Sequence, residues 1–473
     1  MTANTLHELT LADAARAVRS GEVSSLELTT HALTRLEQHS PALNCTAAIY
    51  ADEARKAAQV ADDISARGGE TPALHGVPLA HKDMYYRAGW TSENGSRVRK
   101  GHVPDITSAA VEKLDHAGAI DVARLNMVEF ALGITGHNEI TGHVRNPWNT
   151  DHITGGSSSG SGAAVAARLV YGSLGSDTGG SIRFPAACCG ITGIKPTYGR
   201  VSRYGAMPLA QSLDCVGPLA RTAEDCALLL GVIAGHDERD PLSNQRSVPD
   251  YVSGLADSVS GVRIAVPNNL FYDPVTDEVR AHLENSLAVL RDAGAEIVEV
   301  TIPDSMAVAN LLNNLIGATE GAAFHSRWLR ERPEDYGRTT LVRFLTGAMC
   351  PADRYLEALN LRSVILKEFS EAVFSKADLL HVPLMPGPVP TLEETDFGTK
   401  KEGFAEFLAA TGHCTRCFNY LGLPAASIPC GFTGNGLPVS FQLVGRPFDE
   451  VAILRMAYAY QQETDWHTRS PDM

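Results

Sequence analysis

Hydrophobic and polar positions alternate along the chain in two rhythms. From Leu11 to Ile64, Ala, Leu and Val recur at helical spacing with few Gly or Pro until RGGETP at 67–72, a pattern that predicts two or three outer helices. The apolar run Val77 to Ala80, opened by Gly76, leads almost directly into Lys82 and Asp83, which places Lys82 at the end of a buried strand. TSAAVEKLDHAGAIDVARLN reads as a helix, a stop at Gly118 and a strand Ile120 to Leu125. The same unit recurs where Val279, Leu283, Leu287 and Leu290 share a helical face, Gly294 ends the helix, and Ile297 to Ile302 reads as a strand. This is the alternation of an α/β sheet. Near the C-terminus the pattern predicts strands Ala425 to Pro429 and Val439 to Val444 around a turn at Asn435-Gly436, then a helix with Val451, Leu454 and Tyr458 on one face. The polar stretch His236 to Gly254 is expected to be a surface excursion, and nothing repeats at a fixed period.

Bulk properties narrow the class. The chain has 473 residues, 44% of them hydrophobic and 20% charged, which suits a globular protein of one large domain or two. Its net charge of −15 disfavours nonspecific attraction to nucleic acid or anionic membranes, so neither is expected as a partner. The start lacks a basic region followed by an apolar one, and no segment reaches bilayer-spanning length; a cytoplasmic enzyme is the expectation. The nine irregularly placed Cys do not resemble a disulfide framework and are read as reduced. His413, Cys414 and Cys417 in HCTRC have metal or redox spacing, but no second ligand pair follows. They are read as packing residues, and no metal or cofactor is expected.

The most unusual composition runs from Thr154 to Gly190, TGGSSSGSGAAVAARLVYGSLGSDTGGSIRFPAACCG. Apolar Ala163 to Val170 predicts one helix between two Gly/Ser loops. Glycine lets several backbone N–H groups converge, so such loops suggest a floor for an anion or oxyanion. A phosphate loop is poorly supported, because no Lys-Ser/Thr pair follows GSSSGSG and G-x-G-x-x-G is not completed. A nucleophile elbow centred on Ser158 needs a strand before it, and the preceding HVRNPWNTDHITGG is polar and turn-rich.

GGSSSGSGAAVAA followed by GSDTGGSIRFPA resembles the diagnostic segment of the amidase-signature hydrolases. PLAHKD upstream, with GIKPTYGRVSRYG, SLDCVGPLARTAED and FNYLGLPAASIPCGF downstream, extends the likeness over nearly the whole chain. The resemblance implies a single α/β domain over 1–473, with a mixed sheet between helices, N-terminal helices to about 70, a signature core over about 71–235 and a variable pocket region over about 300–400. It implies Ser181 as nucleophile, Ser157 as proton relay behind a cis peptide bond, and Lys82 as base. It also implies backbone N–H groups of Thr178, Gly179, Gly180 and Ser181 as the oxyanion hole, with Ser158, Asp177 and Arg183 as supports.

The residues suit that chemistry. A serine hydroxyl needs an adjacent base, and a lysine serves only if burial keeps it neutral. Ser157 could then pass the proton from Ser181 to Lys82 and return it to the departing nitrogen, before water cleaves the acyl-enzyme. Taken singly, a lysine at a strand end is usually a solvated cap and a loop serine a turn former; together, at this spacing, they favour catalysis. His81, Ser159 and Cys417 depart from the commoner family pattern without removing a catalytic group, and alternation points His81 away from Lys82. Tyr198, Arg200, Arg203 and Tyr204 could belong to the site or to a surface loop.

The expected activity is hydrolysis of a C–N amide bond in a small or medium uncharged amide or carbamate, preferred to free glutamine, by a chain acting alone or as a homodimer. A carbamate or urea-derivative hydrolase with the same three residues is one alternative. A glutaminase-type subunit of a tRNA-dependent amidotransferase is another. The substrate pocket is expected between Asn310 and Asp396, where Phe324, Trp328, Tyr336, Phe344 and Met385 are candidate lining, although core packing suits each taken singly.

Overall fold

The computed structural model describes residues 3–398 and 409–473. The apolar run ahead of Lys82 is strand β2 (Pro78–Lys82), buried at every position. It lies parallel to β3 (Ile120–Leu125), and β1 (Thr46–Ile49) pairs antiparallel on the other side of β3. The N-terminal pattern misses β1, because four residues of half-exposed TAAI between two helices carry too little alternation to register. The flanking helices Leu11–Ser20, Ser25–Leu43 and Ala51–Ala66 agree with the periodicity. Thr10 caps the first, and Ser24 with Glu27 forms a capping box on the second.

The other eight strands form one mixed sheet. They are β4 (Gly172–Asp177), β5 (Thr192–Lys195), β6 (Cys215–Ala220), β7 (Arg263–Pro267), β8 (Glu296–Val300), β9 (Leu379–Pro383), β10 (Ala425–Phe432) and β11 (Pro438–Gly445). Their spatial order is β4-β6-β5-β10-β11-β9-β7-β8. Pairing is antiparallel from β4 to β9 and parallel among β9, β7 and β8. Helices Arg183–Cys189, Ala223–Ile233, Asp277–Asp292 and Glu450–Gln462 pack against it. This is one α/β domain with mixed sheets and helices. Strand β2, which ends on Lys82, however, belongs to the small sheet rather than the large one.

The Gly/Ser segment makes the junction between the two sheets. Ser159–Ala166 is a helix buried along its whole length, starting earlier than the apolar run Ala163 to Val170 suggests. Its small residues are required by proximity: a Cβ at Gly160 would stand 2.4 Å from the Cys45 carbonyl oxygen and 2.6 Å from that of Asn126. The chain can therefore thread between β3 and β4 only as glycine at this point.

Candidate active site

Lys82 closes β2 with no exposed surface, and its Nζ is hydrogen-bonded to Ser157 Oγ at 2.7 Å and Ser176 Oγ at 2.8 Å. Burial lowers its pKa from 10.5 to about 7, against the opposing pull of the Asp214 and Asp177 carboxylates. Ser157 follows a cis peptide bond to Gly156 and is itself fully buried. Ser181 lies at the wall of a cavity of about 1140 Å³ that also reaches Thr178, Gly179 and Asn313. No side-chain hydrogen bond joins Ser157 to Ser181 in this conformation; such contacts often tighten only when substrate is bound.

The loop from Asp177 to Arg183 is held from behind. The Asp177 carboxylate accepts from the backbone N–H groups of Gly180 (2.7 Å) and Ile182 (3.1 Å), from Arg183 Nε (3.0 Å) and Nη2 (3.0 Å), and from Asn419 Nδ2 (2.8 Å). Burial alone would raise the Asp177 pKa, but the Arg183 guanidinium and these donors hold it well below the usual carboxylate range. Arg183 also donates to the side chains of Gln442 and Asn419. Thr415 Oγ1 donates to the Gly179 carbonyl at 2.8 Å, and Thr178 Oγ1 donates to Asp214 at 2.5 Å. Gly180 has φ +125°, and a Cβ there would stand 2.6 Å from Thr415 Oγ1.

One oxyanion-hole expectation needs correction, and the other candidates take definite places. Gly180 does not offer its N–H to the cavity, because Asp177 already receives it. Ser158 stands beside the site but faces β4: its Oγ accepts from Ser176 N at 3.3 Å, and its own N–H donates to the Ser181 carbonyl. Tyr198, Arg200, Arg203 and Tyr204 do not line the cavity; Arg203 pairs with Asp240 at 2.9 Å and so pins the excursion 236–254 onto the fold. The candidate aromatic lining is also displaced. Phe344 stacks on His325 in the core and Tyr336 meets it edge-on, Phe324 is 49% exposed, and Met385 packs near Cys188. His81 accepts from the backbone N–H of Leu174 at 3.2 Å.

Sequence reasoning missed Ser176, Asp214, Thr415 and Asn419, whose ordinary polar side chains gain their roles only from what the fold sets beside them. Ser176, Asp214 and Asn419 did carry a signal, lying in the GSDTGGS, SLDCVGP and FNYLGLPAA stretches that resemble the family. HCTRC drew attention for its cysteines, yet Cys414 and Cys417 are buried core residues. The arginine between them, Arg416, reaches the cavity, as does Arg343. Among the described residues, no helix is long and apolar enough to cross a membrane.

A serine at a cavity wall, a buried lysine behind a second serine, and a glycine loop braced by an Asp–Arg pair define a class of serine hydrolase. The family model described as Amidase matches residues 27–454, and the chain belongs to that family. It is 40% identical to the A subunit of the glutamyl-tRNA(Gln) amidotransferase of Halorhodospira halophila, over 99% of both chains. Among solved structures it is similar to one described as a vestigial protein complex that reveals the evolutionary origins of an s-triazine catabolic enzyme, with TM-score 0.89, 33% identity and coverage of 96% and 98%. It is also similar to the A subunit of the glutamyl-tRNA(Gln) amidotransferase of Thermotoga maritima, with TM-score 0.82, 29% identity and coverage of 97% and 95%.

The amidotransferase relatives overturn the expectation of a chain that acts alone or as a homodimer with no nucleic acid among its partners. The Halorhodospira halophila and Thermotoga maritima proteins match nearly end to end, and both are named as one subunit of an enzyme whose name includes a tRNA. Net charge failed as a guide because it averages over the whole surface of one chain, whereas an assembly can bring its nucleic-acid contacts on another subunit.

Proposed function

We propose that the chain hydrolyses a carboxamide through an acyl-enzyme on Ser181 and that it works as one subunit of a larger assembly. The observation that carries the chemistry is the 2.7 Å contact between Lys82 Nζ and Ser157 Oγ, both fully buried, behind the loop that presents Ser181. A lysine with a pKa of about 7 is substantially neutral at physiological pH and can accept the Ser181 proton through Ser157. Attack on the amide carbon puts negative charge on its oxygen, and the backbone N–H groups of Thr178, Gly179 and Ser181 are the donors we assign to it. The proton returns through Ser157 to the departing nitrogen, ammonia leaves, and water hydrolyses the ester. Asp177, Arg183 and Asn419 position the loop, and Ser158 ties it to β4. The nine free cysteines fit a cytoplasmic location.

A second reading, a glutaminase-type subunit of a tRNA-dependent amidotransferase, is favoured by the 40% identity over the full length. The test measures ammonia release by the purified full chain from glutamine, aliphatic and aromatic amides and an aryl carbamate, with and without partner subunits, and labels the chain with a serine-directed phosphonate. Adduct on Ser181 with ammonia release supports the mechanism. Glutaminase activity that appears only with partner subunits selects the second reading, and labelling at another serine refutes the assignment.

A further inference from the structure

The pairing of β4 with β6 sets a second carboxylate behind the catalytic loop. Ser176 faces Val216 and Asp177 faces Cys215 across that pair, so Asp214, one residue ahead of β6, meets Thr178, one residue beyond β4. Its Oδ1 accepts from Thr178 Oγ1 at 2.5 Å, and its Oδ2 accepts from the backbone N–H groups of Leu209 (2.9 Å) and Ala210 (3.0 Å). The residue is buried. Two carboxylates act on Lys82, Asp214 more strongly than Asp177. They differ in what neutralises them. Asp177 is paired with Arg183 at 3.0 Å, whereas every hydrogen bond to Asp214 among the described residues comes from a neutral donor.

The ionisable groups around this pair leave the arrangement standing. Arg203, a cation that acts on Asp214, is tied to Asp240 at 2.9 Å. Lys195 donates to the Pro196 carbonyl and faces Cys215 and Asp177. Burial pushes the Tyr85 phenol and the Cys215 thiol up, so both stay neutral. Asp83, next to Lys82 in the chain, accepts from the N–H groups of Glu93 and Asn94, and burial raises it to about 7. His81 is pulled down to about 4 by burial and is neutral. On helix Ser305–Glu331, Glu320 accepts from Ser212 and Tyr355. Burial raises Asp214 itself to about 6, against the Thr178 hydroxyl and the two N–H groups, so at pH 7 it is mostly ionised.

Resting on the assignment of Lys82 as base, we propose that Asp214 is a positioning residue of the acyl transfer: it holds Thr178 beside Ser181, and its carboxylate is the counter-charge for the ammonium that forms on Lys82. As Ser181 Oγ bonds to the amide carbon, its proton passes to Ser157 Oγ, whose own proton passes to Lys82 Nζ, and the carbonyl oxygen takes up the negative charge. Lys82 has no exposed surface, and a cation formed there is costly unless a fixed anion faces it. Asp177 is already engaged by Arg183, so that stabilisation falls to Asp214. When the C–N bond breaks, the proton returns through Ser157 to the departing nitrogen and Lys82 is neutral again.

The test follows the base through the rate at which a fluorophosphonate labels Ser181 in the full chain as pH is varied, with the adduct located by mass spectrometry. In the wild type the rate should rise about tenfold per pH unit and level off above about pH 7. Asp214→Asn keeps the shape and removes the charge, so Lys82 holds its proton less well; the midpoint should move down by roughly one pH unit and the plateau rate should fall about tenfold. Thr178→Val removes the hydroxyl that shares the charge of the carboxylate and leaves the carboxylate in place, so the midpoint should move up by about half a pH unit. Asp214→Glu keeps the charge and should stay within about 0.3 pH unit of the wild type. Circular dichroism establishes which variants are folded, and Thr178→Val, of nearly equal volume, carries the test where an Asp214 substitution does not fold. An unmoved midpoint in folded Asp214→Asn or in Thr178→Val overturns the proposal, because an aspartate that only braces the loop lowers the rate without moving the midpoint. A shift of reversed sign, or an equal downward shift in Asp214→Glu, overturns it as well. A flat wild-type profile, or labelling of Lys82→Met at the wild-type rate, would instead sink Lys82 as the base, whereas a normal wild-type profile with unmoved variants sinks the role of Asp214 alone.

Discussion

Replacing Lys82 with methionine keeps the length and apolar stem of the side chain while removing the base, so stability and activity should move in opposite directions. Lys82 is fully buried and its pKa falls from 10.5 to about 7. At about 1.4 kcal/mol for each tenfold step in proton affinity, keeping this lysine neutral at pH 7 costs the fold roughly 5 kcal/mol relative to an unfolded chain in which it is protonated. Lys82→Met escapes that cost but leaves the hydroxyls of Ser157 and Ser176 without this partner, at about 1 kcal/mol each. The expected net gain is roughly 2–4 kcal/mol, which for a chain of 473 residues raises Tm by about 2–4 °C. The folded pKa lies below the unfolded one, so between pH 7 and 10.5 the unfolded chain binds the extra proton and wild-type stability rises with pH. At pH 9 the remaining cost is about 2 kcal/mol, and the advantage of the variant should shrink by about 3 kcal/mol, close to nothing. Scanning calorimetry of both proteins at pH 7 and pH 9 measures this, while ammonia release should drop by about a thousandfold or more. A variant less stable than wild type at pH 7, or one whose advantage is the same at pH 9, refutes the neutral-lysine argument.

Ser181→Ala should abolish turnover, with a loss on the order of 10⁴-fold or more, in a folded protein, whereas Ser158→Ala should stay within about tenfold of wild type because only a bracing hydrogen bond is lost; the reverse ranking in a steady-state assay would revive the elbow reading. Because the neutral form of Lys82 is the base, kcat/KM should fall about tenfold per pH unit below about 7 and level off above it, and a flat profile between pH 5 and 8 contradicts that role. Asp177→Asn leaves the buried Arg183 guanidinium without its counter-charge, so unfolding should become easier by about 3–5 kcal/mol; denaturation midpoints near wild type would show the pair to be dispensable. Dialysis against a chelator should leave activity unchanged, and loss restored by added zinc would require a metal in the mechanism.

What the sequence discloses depends on how local the cause is. Lys82 is legible because a run of apolar residues ends on it, and burial of a strand end follows from that run alone. The glycines and serines from Thr154 to Gly190 are legible because close backbone approach demands them wherever the rest of the chain lies. The counterparts of these groups are not local. Ser176 matters because β4 brings it within 2.8 Å of Lys82, and Asn419 because the short helix Arg416–Tyr420 ahead of β10 packs onto Asp177. Their chemical types are too common for any spacing to single them out. The aromatic candidates failed for the opposite reason: large apolar side chains in a variable region suit a pocket and a core equally, and the contacts around His325 put Tyr336 and Phe344 in the core.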